Sequence, residues 1–298
     1  MKEKSASSTA YTVLQGLLHV SATKEHGYLV PEETAKAGRQ IMEASSEGRE
    51  RLRQIKKPWV KLSVRVRESL LLPGITVHYA LRKRYVEDQT RKAISEGANQ
   101  VVILGAGFDS LAWRLSKENP EIQFVEIDHP ETQKPKANAF QQTSDGSSEN
   151  LCLLSVDFTQ QSLKEALEDC PDFLRARPTA YVCEGVLMYL DTPDIDKVFE
   201  AISQLSGDGS SLLFTAIEPQ GSPTNNVRSL LYTYLKLVGE PIKWTARHEE
   251  LEAFVLERGF ELIEQAGTDE LKRRYVTKPS NYTYHYGEHF TLCRFRKV

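Results

Sequence analysis

Two glycines and an aspartate carry the first chemical signal. The apolar run Val101-Val102-Ile103-Leu104 ends at Gly105-Ala106-Gly107, and Phe108-Asp109-Ser110 follows. A run of this length and composition predicts a buried strand. The glycines then let the backbone turn tightly and let a ligand approach it closely. Asp128 closes the next apolar run, 21 positions after Gly107. A carboxylate placed there can accept hydrogen bonds from both hydroxyls of a ribose. Strand, Gly-x-Gly, helix, strand, Asp is a nucleoside-cofactor arrangement. Ser110 stands where a dinucleotide fingerprint would have its third glycine, which weakens a nicotinamide reading. No lysine follows the glycines, so the turn is not a phosphate-binding P-loop.

Two further markers follow later apolar runs. In Ser155-Val156-Asp157-Phe158, the carboxylate can accept from an adenine amino group and the phenyl ring can cover a ring face. An ordinary helix N-cap is the competing reading of Asp157. In Tyr181-Val182-Cys183-Glu184-Gly185-Val186-Leu187-Met188-Tyr189-Leu190, Glu184 can face a cationic centre and Tyr189 can line the reaction site. These two are the candidate catalytic residues, with core packing as the alternative for Tyr189. Acceptor recognition falls to Tyr11, Arg228, Tyr232, Trp244 and His248, with Tyr234 beside them. The run Tyr282, Tyr284, His285, Tyr286 reads first as a structural staple and second as an edge of the acceptor pocket.

The elements that must position these residues divide near residue 97. Before it the pattern is helical: Val13, Leu14, Leu17 and Leu18 recur at helix spacing, a second helix follows Pro31, and a third covers 76–95 with Gly97 at its C′ position. A basic amphipathic stretch runs over 49–67 and reads as a solvated helix face. After residue 97, apolar runs at 101–104, 124–127, 151–156, 180–183 and 212–217 alternate with helix-length segments. Such alternation predicts crossover units and a parallel sheet covered on both faces. The alternation pauses at 219–258, predicted as an inserted helical cap over the sheet's carboxyl edge, with helices at 227–238 and 247–257. Strands at 260–266 and 289–296 close the chain. The expected organisation is an N-terminal helical region, 1–96, packed on a core, 97–298, as one continuous structural domain.

Composition narrows the class. The chain has 298 residues, 40% hydrophobic and 27% charged, with a net charge of −3. That balance supports a sizeable core and argues against a generally basic nucleic-acid surface. Four cysteines, at 152, 170, 183 and 293, form no CxxC and no Cys/His cluster, which argues against a structural zinc site and fits a reducing cytoplasm. The first ten residues are polar and show no signal-peptide core, and no apolar run approaches a membrane span. No metal cluster and no Ser/His/Asp triad is legible.

The stretches VVILGAGFDSLAWRL (101–115), FVEIDHPETQKPKA (124–137), SVDF (155–158) and CEGVLMYL (183–190), with LRKRYVEDQ (81–89), resemble the leucine carboxyl methyltransferase family, including its bacterial polyketide-type O-methyltransferase branch. The resemblance implies a class I methyltransferase fold: Rossmann-like, α/β, doubly wound, with a mostly parallel seven-stranded sheet, N-terminal helices and a helical cap. It also implies S-adenosylmethionine as methyl donor and S-adenosylhomocysteine as product, with no metal. Carried over residue by residue, Gly105, Ala106 and Gly107 would flank the cofactor. Asp128 and His129 would hold the ribose side, Asp157 and Phe158 the adenine. Glu184 would lie near the methionine amino group, and Arg82 would pair with its carboxylate, with Arg84 as the alternative. The acceptor implied is a small molecule bearing a carboxyl or hydroxyl group, with a protein C-terminal carboxylate second. A nicotinamide oxidoreductase and a non-catalytic cofactor-binding protein are the readings from other classes. The oligomeric state is not legible.

Overall fold

A computed structural model describes residues 7–55, 57, 66, 68–142, 146, 148–237, 240–278 and 280–295. Most of the basic stretch after residue 55 therefore lies outside the described residues. Seven strands form one sheet: β1 Gln100–Leu104, β2 Gln123–Asp128, β3 Leu151–Ser155, β4 Thr179–Cys183, β5 Ser211–Ile217, β6 Phe260–Ala266 and β7 Glu288–Phe295. Their spatial order is β3-β2-β1-β4-β5-β7-β6. The pairs from β3 to β5 are parallel, and β7 runs antiparallel between β5 and β6. Order reverses between β1 and β4, and at that switch a doubly wound sheet opens its ligand crevice.

The helices are α1 Ser8–Ser21, α2 Glu32–Glu43, α3 Ser46–Ile55, α4 Ile75–Ser95, α5 Leu111–Glu118, α6 Pro130–Gln141, α7 Leu163–Glu168, α8 Thr192–Leu205, α9 Ser229–Leu237, α10 Leu251–Leu256 and α11 Thr268–Tyr275. Local chemistry sets several ends. The Ser7 hydroxyl caps α1 by accepting from the Ala10 N–H, and Gly97 takes a left-handed φ of 106° just past α4. The expected helix over 247–257 is shorter, a 3₁₀ turn at His248–Glu250 leading into α10.

Two apolar layers sandwich the sheet. One joins α1, α2 and α4 to β1 and β7 through Leu14, Leu17, Leu81, Tyr85, Val101 and Phe290. The other joins α7, α8 and α10 to the opposite face through Leu167, Phe199, Ile202, Phe214 and Val255. The N-terminal helices thus share a core with the sheet, and Tyr11 meets Phe108 with ring centroids 4.5 Å apart.

One buried ion pair lies inside this core. Lys136 of α6 reaches Glu126 of β2 at 2.5 Å, and both side chains are fully buried. Burial pushes the Glu126 carboxyl above its ordinary range, with Lys136 opposing that shift. Removing one partner strands a buried charge. Lys136→Met is therefore expected to cost about 3–5 kcal/mol, whereas the double variant Lys136→Met/Glu126→Leu should recover most of it. Denaturant unfolding of both variants checks this. Equal losses would contradict it.

Candidate functional site

The carboxyl ends of β1, β2 and β4 meet α1, α4 and α9 around one cavity of about 1360 Å³. Gly105 and Gly107 enter it with φ of 63° and 53°. The Gly105 and Ala106 N–H groups donate to the Ile127 carbonyl, at 2.8 and 3.2 Å, so the turn is tied to the end of β2. A Cβ on Gly105 would stand 2.4 Å from Val186 Cγ2, which leaves no room for a larger residue. Asp128 is held from both sides. Its Oδ2 accepts from the Gly107 N–H at 2.6 Å and its Oδ1 from the His129 N–H at 2.7 Å. Burial raises its pKa, and these two N–H bonds work against the rise.

Asp157 accepts from the Thr159 N–H and hydroxyl, at 2.9 and 2.7 Å, through one oxygen. Phe158 stands 51% exposed at the cavity rim. An aromatic ring left that open loses its burial energy unless something covers it.

The opposite wall is a charge network hung on α4. Arg82 Nε meets Glu184 Oε1 at 2.6 Å, and its Nη1 meets Glu288 at 3.2 Å. Lys83 Nζ meets Asp109 at 2.7 Å and Glu184 at 2.9 Å. His78 Nε2 lies 2.6 Å from Glu288. Burial opposes charge on Arg82, Lys83, Asp109 and Glu288, and their partners prevail. Lys83 holds Asp109 down at about 2. Arg82 and His78 hold Glu288 well below the carboxylate range. Glu288 and Glu184 raise Arg82. Three carboxylates, on Asp109, Glu184 and Glu288, face Arg82, Lys83 and His78 here.

Helix spacing explains which cations arrive. Ile75, Tyr79, Arg82 and Lys83 recur at i, i+4, i+7 and i+8, and all line the cavity. Arg84 lies off that stripe, its guanidinium 5.8 Å from the Tyr275 ring centroid. Of the two expected arginines, only Arg82 reaches the cavity. Lys83, Tyr79, Asp109 and Glu288 were missed in the sequence, although the stripe on α4 offered a signal for the first two.

The cavity brings together Arg82, Gly105, Ala106, Gly107, Asp128, His129, Asp157, Phe158, Glu184 and Tyr189. It does not bring in the five acceptor candidates. Tyr11 is buried between Phe108 and the Ser45 hydroxyl. Arg228 is exposed, and its backbone N–H donates to Leu71. Tyr232 hydroxyl lies at 3.5 Å from Asn225, Trp244 packs on Phe254, and His248 faces His289. The apolar part of the cavity lining comes instead from Leu14, Leu17, Leu72, Ile75, Leu231, Leu235 and Ile242, with Met188, Tyr79 and Tyr189. Packing turns those five side chains outward or into the core. From the Tyr282–Tyr286 run only His285 lines the cavity. Tyr282 and Tyr284 meet His26 edge-on, and the Tyr286 hydroxyl donates to Asp269.

His285 also sets an acid limit. Burial, then the neighbouring His78 at 4.9 Å between ring centroids, lowers its pKa to about 3 from 6.5. The unfolded chain therefore takes up a proton that the folded chain refuses. Stability falls as pH drops from about 6.5 towards 3, and Asp109 adds a further loss from about 4 down to about 2. Thermal midpoints measured from pH 7.5 to 4 should decline, and His285→Gln should flatten the slope. An unchanged slope in that variant would contradict the assignment.

The comparisons with known proteins are these. The model of a family described as Leucine carboxyl methyltransferase matches residues 33–203. A Mycobacteroides abscessus protein named "Putative S-adenosyl-L-methionine-dependent methyltransferase" is 34% identical over 150 residues, 50% of this chain and 48% of that one. A Parafrankia protein with the same description is 30% identical over 138 residues, 46% of this chain and 44% of its own. The chain thus spans about half the length of the curated relatives it matches. Among solved structures, a DUF574 family protein from Streptomyces avermitilis superposes with a TM-score of 0.61 at 15% identity, covering 98% of each chain. A Thermobifida fusca structure described as a "putative methyltransferase" gives 0.60 at 18% identity, covering 87% of this chain and 94% of its own. At such identities the likeness is one of fold.

Proposed function

Because the chain belongs to the leucine carboxyl methyltransferase family, we propose that it is an S-adenosylmethionine-dependent O-methyltransferase acting on a carboxyl or hydroxyl group of an apolar small molecule. The observation that carries this reading is the single cavity that runs from the glycine turn and Asp128, past the Arg82–Lys83–Glu184 wall, into apolar space beneath α9.

The residues present fit the donor. Gly105 keeps the turn open where a Cβ would strike Val186. Asp128 would hold the ribose hydroxyls through the lone pairs its two N–H donors leave free, and Phe158 would cover the adenine beside Asp157. Arg82 and Lys83 would take the methionine carboxylate and Glu184 the amino group. The carboxylates of the wall suit a molecule that carries a sulfonium and an ammonium besides its one carboxylate. When bound, the cofactor supplies a methyl group already activated by its positive sulfur. The chain's own contribution is then alignment, with reacting atoms about 3–3.5 Å apart, and exclusion of water.

The acceptor reading rests on size and lining. Single-ligand pockets commonly reach about 1,000 Å³, so a cavity of about 1360 Å³ holds a donor and a sizeable second molecule. Burial pushes the Tyr79 phenol to about 12 and the Tyr189 phenol higher still. Both stay protonated at neutral pH, as hydrogen-bond donors that would orient an acceptor oxygen. A carboxylate acceptor needs no base, and a phenol or enol needs modest help.

Transfer of labelled methyl from S-adenosylmethionine to a panel of hydrophobic phenols, enols and carboxylic acids tests the proposal. Label should enter an ester or ether of one class, with Tyr189→Phe slower. Label confined to a peptide C-terminal carboxylate would replace the small-molecule reading with the protein one.

A further inference from the structure

A second cluster of reactive side chains lies on the edge strand of the sheet. Cys152 stands second in β3, and Cys170 follows α7 by two residues. They are 18 positions apart, so no CxxC spacing betrays them, yet the fold sets their sulfurs 3.7 Å apart. The Asp172 carboxylate joins them, with all three ligand atoms within 4.8 Å of one another. Cys170 is buried, Cys152 half-buried, and Asp172 exposed, so the cluster opens to solvent on one side.

We propose that Cys152, Cys170 and Asp172 form a binding site for a thiophilic divalent cation of the zinc type, with water at the fourth position. Three observations support it. Two thiolates on a tetrahedral zinc, each at about 2.3 Å, sit about 3.8 Å apart, which is the separation found, whereas a disulfide needs about 2.05 Å. The Cys170 N–H donates to the Leu167 carbonyl and the Cys170 carbonyl accepts from the Phe173 N–H, so the loop that carries this sulfur is fixed beside β3. The Asp172 carboxylate lies within 4.8 Å of both sulfurs, so one chain region supplies three ligand atoms to one cluster. Binding forms two metal–sulfur bonds and one metal–oxygen bond and releases the two thiol protons to water, with no electron transfer. The ion would pin the loop after α7 to β3, beyond the far end of the helix that follows Asp157 and Phe158. The proposal is independent of methyl transfer.

The test titrates the reduced full-length protein with Co²⁺, then Zn²⁺. One Co²⁺ per chain should give thiolate-to-metal charge-transfer and tetrahedral visible bands, both erased by Zn²⁺. Cys152→Ser and Cys170→Ser should lose the bands, and Asp172→Asn should keep them at weaker affinity. Near-ultraviolet circular dichroism shows whether each variant folds. If a serine variant does not, the wild-type chain answers alone, because its thermal midpoint should rise with added Zn²⁺ only while its thiols are unalkylated. Absence of the bands in reduced wild type would overturn the site, as would bands surviving in the double serine variant. Recovery of a reversible Cys152–Cys170 disulfide in a protein that takes up no metal would also overturn it, and make the pair a redox couple.

Discussion

Replacing Asp128 by alanine is expected to weaken S-adenosylmethionine binding by about a hundredfold or more. The carboxylate stands at the end of β2 with each oxygen already accepting one backbone N–H, from Gly107 and from His129. Each oxygen keeps a second acceptor position, and the pair is spaced for two neighbouring ribose hydroxyls. Hydrogen bonds to a charged group contribute about 1.5–3 kcal/mol each. Loss of both therefore exceeds the roughly 2.7 kcal/mol that a hundredfold represents. Alanine also leaves the two N–H groups without their acceptor, so a modest fall in thermal midpoint accompanies the binding loss. Asp128→Asn separates the effects. It keeps the volume, but its amide nitrogen must face one of the two N–H donors. Affinity should fall nearly as far as with alanine, while most of the stability returns. Wild-type affinity in either variant, measured by calorimetry, would remove Asp128 from the ribose site.

Arg82→Met should damage both stability and cofactor binding. The guanidinium bridges Glu184 and Glu288, and all three side chains are at most 10% exposed. Its removal leaves Glu184 with Lys83 alone and Glu288 with His78 alone. Breaking a buried pair from one side costs about 3–5 kcal/mol. Arg82→Lys keeps the charge but lacks the planar fork that spans two carboxylates. The lysine variant should recover part of the stability and little of the affinity. Denaturant midpoints and calorimetry on the same preparations separate the two losses. A methionine variant that binds S-adenosylmethionine as well as wild type would show that Arg82 serves the fold alone.

The cavity lining around the glycine turn was legible in the sequence because its geometry is local. Gly105, Gly107 and Asp128 each sit where an apolar run stops, and a strand that stops at the carboxyl edge of a parallel sheet delivers its next residues to the crevice. Glu184 and Tyr189 follow the same rule after β4. Arg82 came from the resemblance of LRKRYVEDQ, which left Arg84 open beside it, and only the stripe of Ile75, Tyr79, Arg82 and Lys83 on α4 separates the two. The apolar lining was not legible. Whether Trp244 or Leu231 faces the cavity depends on how the segment after β5 folds back over the sheet, and no periodicity encodes that. The antiparallel insertion of β7 between β5 and β6 depends on contacts between segments about 80 residues apart, such as Leu213 with Leu292. The helix α11 went unread because it is mostly charged, with Leu271 as its one buried large apolar residue. Cys152 and Cys170 meet only because β3 and the loop after α7 lie side by side.

The most direct measurement is calorimetric titration of the purified protein with S-adenosylmethionine, S-adenosylhomocysteine and NAD. Binding of the first two at one site per chain, with no heat from NAD, is the predicted result. Binding of NAD alone would contradict the account, since it would require the turn at Gly105–Gly107 to hold a pyrophosphate despite Ser110.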